Sequence, residues 1–195
     1  MSTAELTVAG GAAPPLSRGR VGMWSLIVAE SAIFLIFIAA YIFYIGKSQG
    51  GPTPAILSVP VLTTICLLAS SLSLHWAVAA LRAGRMAAFR VWWFVTLALG
   101  ATFLAGTGLD WRHLIYQEHF TVATNLFGTT FYALVGLHAT HVAVGLIALT
   151  TVMVLALLGK VGPEHSERCE VLAMYWHFVD AVWVVVFTVV YGLGR

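Results

Sequence analysis

The sequence predicts an all-α polytopic membrane protein, a bundle of five transmembrane helices, and three observations carry that expectation. Apolar residues make up 60% of the 195 and charged residues only 9%, with a mean hydropathy of +0.92, a composition that water-soluble domains of this size rarely reach. Five apolar segments are each long enough to cross a hydrocarbon core ~30 Å thick with ~20 helical residues. Clusters of Gly, Pro or charge separate them.

In chain order the segments are Val21 to Gly46, Ile56 to Leu81, Phe89 to Leu109, Phe127 to Leu158, and Val171 to Leu193. The breaks are Lys47 to Pro54, Arg82 to Ala88, Asp110 to Asn125, and Gly159 to Glu170. Residues 1–20 are rich in Ala, Gly, Pro and Ser and have no apolar core of their own. A cleaved signal peptide is therefore not expected, and they form a flexible cytoplasmic tail ahead of one membrane domain, 21–195. No internal repeat is visible. The formal charge of +2, with basic residues scattered along the chain, excludes a nucleic-acid surface. Cys66 and Cys169 have neither CxxC nor zinc-type spacing, which leaves disulfide, c-type haem and thiolate-copper roles without support.

Seven of the ten Lys and Arg residues (Arg18, Arg20, Arg82, Arg85, Arg90, Lys160, Arg168) flank one side of a five-span chain, and three (Lys47, Arg112, Arg195) flank the other. Basic residues near short loops are held in the cytoplasm, so the amino terminus is expected inside and the carboxy terminus outside. Trp24, Trp92, Trp93, Trp111, Tyr116 and Tyr191, near span ends, suit the two interfaces. Ser70, Ser73, Ala77 and Ala80 in the second span, and Gly136, Thr140, Ala143 and Gly145 in the fourth, line faces where helix backbones approach closely in lipid.

The informative residues are those that hydrocarbon excludes: Glu30, His75, His138, His141, His177 and Asp180. A charged group at mid-bilayer costs a few kcal/mol, so pairing or function must offset it. With a rise of ~1.5 Å per residue, Glu30 and Asp180 lie ~14 Å, and His75 and His177 ~9 Å, from the cytoplasmic ends of their spans. His141 lies ~21 Å from the outer end of its span, a comparable level. One polar layer shared by three or four helices is expected. His138 with His141, and His177 with Asp180, share helix faces that should point inward. Glu30 is expected to be protonated or hydrogen-bonded at neutral pH. Three readings of the layer are open: polar groups paired across helices to hold the bundle, a lipid-headgroup or proton-handling role for Glu30, Asp180 and nearby imidazoles, and a metal or haem site. The last needs more ligands than one HxxH supplies.

Three stretches resemble the subunit III family of cytochrome c and quinol oxidases. Tyr175-Trp176-His177-Phe-Val-Asp180-Ala-Val-Trp183 is similar to that family's last-helix signature. Asn125 to Tyr132 with Gly128, continuing through Gly136, His138, His141, Val142 and Gly145, resembles a second pattern, with Ala139 where the family usually has Gly. Gly22-Met-Trp24 ahead of Ala29-Glu30 resembles a third, with Ala29 in place of Ser, and Glu170 also stands at a family position. Leu109-Asp110-Trp111 is similar to a family stretch that carries Glu in place of Asp110. The likeness covers nearly the whole chain after residue 20, in the five-helix bacterial form.

The resemblance implies a subunit of the bacterial cytoplasmic (inner) membrane that holds no haem or copper of its own. Those cofactors would sit in partner subunits, with subunit I the direct partner and phospholipid bound in a cleft. It further implies support of proton uptake and of the catalytic subunit's stability in aerobic electron transport. Subunit III of a quinol oxidase and an accessory subunit of a nitric oxide reductase are the alternatives, with a self-sufficient transporter or membrane metalloenzyme behind them. An odd span count without a repeat disfavours a transporter of inverted-repeat type.

Overall fold

The computed structural model describes residues 17–45, 47 and 56–192, all-helical in its regular structure. The expected tail falls largely on residues 1–16, and the first break and Arg195 on 48–55 and 193–195, outside the described residues. The helices are α1 (Arg18–Tyr44), α2 (Val61–Arg82), α3 (Met86–Tyr116), α4 (Leu126–Leu157) and α5 (Ser166–Phe187). A 3-10 turn, Pro163–His165, leads into α5, and a π turn, Thr188–Gly192, ends it. Among the described residues five helices are long and apolar enough to cross a membrane, which makes this an integral membrane protein.

Local chemistry sets the ends. The Ser17 hydroxyl accepts from the Arg20 N–H, and the Asn125 side chain accepts from the Gly128 N–H at 2.7 Å, capping α1 and α4. Gly84 and Gly159 adopt positive φ, 70° and 72°. Each closes a helix in the same way, with Arg85 N–H to Ala80 O and Lys160 N–H to Leu155 O, both at 2.9 Å. With the π turn counted in the fifth span, three boundaries differ from the expected ones by five residues or more. The second span starts at Val61, because Pro60 pushes Val59 out of helical backbone and has no N–H to give. The third runs seven residues further, to Tyr116, since Leu114 is buried and Trp111 packs on Tyr132 at 5.2 Å. The fifth begins at Ser166, which brings Glu167, Arg168 and Glu170 into the helix.

The bundle is organised around α5, which packs on α1, α2 and α4, while α3 pairs with α2 and α4. Lipid offers no hydrophobic drive between helices, so close approach and interhelical hydrogen bonds must hold them. Ser70, Ser73, Ala77 and Ala80 are all buried on α2. A Cβ on Gly145 would stand 2.8 Å from the Trp176 ring, and one on Gly100 2.9 Å from it, so these glycines form the slot that Trp176 fills. Thr140, expected on such a face, is exposed and its hydroxyl turns back to Gly136 O. Trp93, expected as an interfacial anchor, is fully buried and donates to Leu149 O at 2.9 Å. Between α3 and α4 the chain tucks Phe120 inside, where its ring stacks on Phe127 at 5.4 Å and its carbonyl accepts from Tyr132.

Candidate functional site

The six intramembrane groups are not one network. They divide into two clusters, one groove and one isolated ring.

The first cluster joins α1 to α4. His141 Nε2 lies 3.1 Å from Glu30 Oε2, and its Nδ1 lies 2.8 Å from the carbonyl of Leu137. A carbonyl only accepts, so Nδ1 carries a proton. The contact between Nε2 and the carboxyl then needs one further proton between them, on the ring or on the acid. Tyr175 of α5 donates to His141 O at 3.1 Å, and the Phe34 ring covers the imidazole at 5.0 Å. Glu30 is 22% exposed and His141 14%, so the pair sits on the flank of the bundle, within reach of lipid or a docked chain. The expected hydrogen bond to Glu30 is present.

The second cluster joins α2 to α5. Ser71 Oγ lies 2.9 Å from His177 Nδ1 and makes a short hydrogen bond to Asp180 Oδ2. Asp180 is buried, and its other oxygen has no hydrogen-bond partner among the described residues. A single hydroxyl thus serves both an imidazole and an acid. Along the same two helices, Trp176 donates to Ser70 Oγ at 2.9 Å and Trp183 to Thr64 Oγ1 at 3.1 Å. Sequence reasoning missed Ser71 and Thr64, because hydroxyls are common in apolar helices and only the facing helix shows which are used. It treated Ser70 and Ser73 as spacers; Ser70 accepts from Trp176, and Ser73 bonds Thr96 of α3 at 2.8 Å.

His75 joins neither set of hydrogen bonds among the described residues but lies beside His177 of the second cluster. With Arg20, Trp24, Arg82, Glu170 and His177 it lines an open groove of about 420 Å³ at the amino-terminal end of the bundle. Both guanidiniums reach one carboxylate, Arg20 and Arg82 each 2.5 Å from Glu170. This three-helix clamp of α1, α2 and α5 leaves one more positive than negative charge.

His138 shares a face with His141 yet joins no hydrogen bond among the described residues. It is fully buried, stacked on Trp183 at 4.8 Å and edge-on to Phe103 at 5.7 Å. The remaining signature positions carry packing. A Cβ on Gly128 would stand 2.6 Å from Thr121 O, and one on Gly136 3.3 Å from Trp111. Among the described residues no three of His, Cys, Asp and Glu gather as ligands for a metal ion.

Comparison with known proteins fits this arrangement. Residues 2–195 match the family model described as cytochrome c oxidase subunit III. The chain is 38% identical over 181 residues to cytochrome c oxidase subunit 3 of Synechocystis, covering 88% of this chain and 74% of the relative. It is 32% identical over 177 residues to the protein of the same name from Alkalihalophilus pseudofirmus, covering 89% and 86%. It is 30% identical to quinol oxidase subunit 3 of Bacillus subtilis, again covering 89% and 86%. Subunits of this kind work inside multi-subunit oxidases of the haem-copper type, and the chain belongs to the cytochrome c oxidase subunit III family.

Proposed function

We propose that this chain is the redox-inactive subunit III of a bacterial terminal oxidase using cytochrome c, docked on subunit I, where it sustains proton uptake and stabilises the catalytic subunit. Haem and copper are held by partner subunits, and oxygen reduction belongs to the complex. The observation that carries the reading is the Glu30–His141 pair. An acid and an imidazole hold one proton between them on the flank of a lipid-embedded bundle, where a proton can be exchanged with a neighbouring chain. The second cluster and the tryptophan hydrogen bonds hold the helices that present it.

The groove of Arg20, Trp24, His75, Arg82 and His177 takes a phospholipid headgroup at the cytoplasmic interface. Its excess positive charge suits a phosphodiester, and Trp24 suits the boundary. The distribution of Lys and Arg supports an amino terminus in the cytoplasm and a carboxy terminus outside. Labelling of the 158–165 loop from the cytoplasmic face of sealed vesicles tests that orientation, and protection from that face would reverse it.

Identification by mass spectrometry of the partners retained in gentle detergent tests the assignment. A partner with a binuclear copper domain is the expected result. The 30% identity to a quinol oxidase subunit favours a second reading, quinol as donor, and a retained complex without that domain would establish it. Purification of the chain alone with a stoichiometric redox centre would overturn both.

Glu30→Gln keeps the shape and one hydrogen bond and removes the ionisable group. The variant complex is expected to assemble with its haem spectrum intact, while proton uptake slows or activity is lost faster during turnover. Unchanged uptake and unchanged lifetime would remove the proton role, and a missing haem spectrum would reassign Glu30 to folding.

A further inference from the structure

At the end of the bundle remote from Ser17 lies a cavity with about 20 Å³ of space open to the centre of a water molecule. Ser58, Thr107, Asp110 and Tyr191 supply polar groups to its lining, and Val135 and Trp183 apolar ones. About 10–15 Å³ by this measure holds one water, provided two to four polar partners face it.

The walls cannot close in on the space. Trp183 is fixed through its indole N–H to Thr64 and by its stack on His138. Trp111, another lining residue, is packed edge-on against Tyr132. A space left dry forfeits dispersion contacts with its lining, and one lined by an acid and hydroxyls offers water the hydrogen bonds that apolar neighbours cannot. Asp110 is the sole acidic residue of α3, half-buried, and among the described residues none hydrogen-bonds its carboxylate. Thr107 Oγ1 spends its proton on Phe103 O at 3.1 Å, which leaves its lone pairs free. Tyr191 belongs to the π turn that follows α5, and π turns are frequent at functional sites.

We infer that this cavity is a binding site for a single water molecule, which accepts from the Tyr191 phenol and donates to the Asp110 carboxylate and to Thr107 or Ser58. The water fastens the π turn to α3 and the segment ahead of α2. Among the described residues no hydrogen bond joins these side chains directly. Three hydrogen bonds match the usual complement of a buried water. The site is separate from the proton-bearing pair and from the headgroup groove, and stands whether or not those assignments hold.

The test is a cryo-EM map of the intact oxidase containing this chain, at a resolution that shows ordered water. One density within about 3.2 Å of both the Asp110 carboxylate and the Tyr191 phenol is expected; a cavity without density, or density out of reach of both, overturns the proposal. Asp110→Leu, similar in size but without an acceptor, is expected to abolish the density, and persistence of the density in place would show that Asp110 is not its ligand. Should that variant fail to assemble, Tyr191→Phe removes only the phenolic donor. It is expected to displace or abolish the density, and an unmoved density would overturn the site.

Discussion

Trp176→Ala is expected to strip this chain from the purified oxidase. Trp176 is fully buried at the meeting of α2, α3, α4 and α5. Its ring lies in the slot left by Gly100 and Gly145, and its N–H is taken by Ser70. In lipid such contacts are the main interhelical force, because lipid tails compete for every exposed methyl group without loss. Truncation of a buried Trp to Ala costs about 3–5 kcal/mol, two to three and a half orders of magnitude in an equilibrium constant. The measurement is the amount of this subunit per haem after mild detergent extraction. Trp176→Phe, which keeps most of the volume and loses the donor, should fall between the two. Wild-type retention of the alanine variant would show that the bundle does not depend on this slot.

Ser71→Ala is the second large expectation. One hydroxyl serves His177 and Asp180, and the remaining Asp180 oxygen is already without a partner among the described residues. Removal leaves a buried acid with no hydrogen bond, at a cost of about 1–3 kcal/mol and more if it is charged. The temperature at which this chain dissociates from the complex should therefore fall. Asp180→Asn in the same background should recover much of the loss, because an amide carries no charge to bury. A double-mutant cycle on the two positions should give a coupling of about 0.5–3 kcal/mol. Simple additivity would mean that the short contact contributes nothing specific.

Five spans were legible because hydrocarbon imposes a length and a composition that few other environments require. Their ends were less so. Asp110 and Arg112 looked like a boundary, yet α3 carries both on to Tyr116, since helical backbone satisfies its own hydrogen bonds in the headgroup region whatever the side chains are. The polar residues were equally visible one by one, because charge and imidazole are rare in lipid. Their partnership was not. Glu30 and His141 are 111 positions apart, and Ser71 and Asp180 109 apart, so equal depth alone could not tell which helices face each other. Equal depth predicted one layer, but α5 separates the Glu30 side from the Ser71 side and divides it into two.

The chain's own order of residues determined that it lives in a membrane, how often it crosses and which family it resembles, for each depends on composition, length or a contiguous string. Tertiary packing alone decided that His141 faces Glu30, that His138 is stacked on Trp183 without a hydrogen bond, and that two arginines share Glu170. The physical reason is that an α-helix satisfies its backbone within itself. The choice of neighbour is therefore left to side chains that meet only after the helices have assembled.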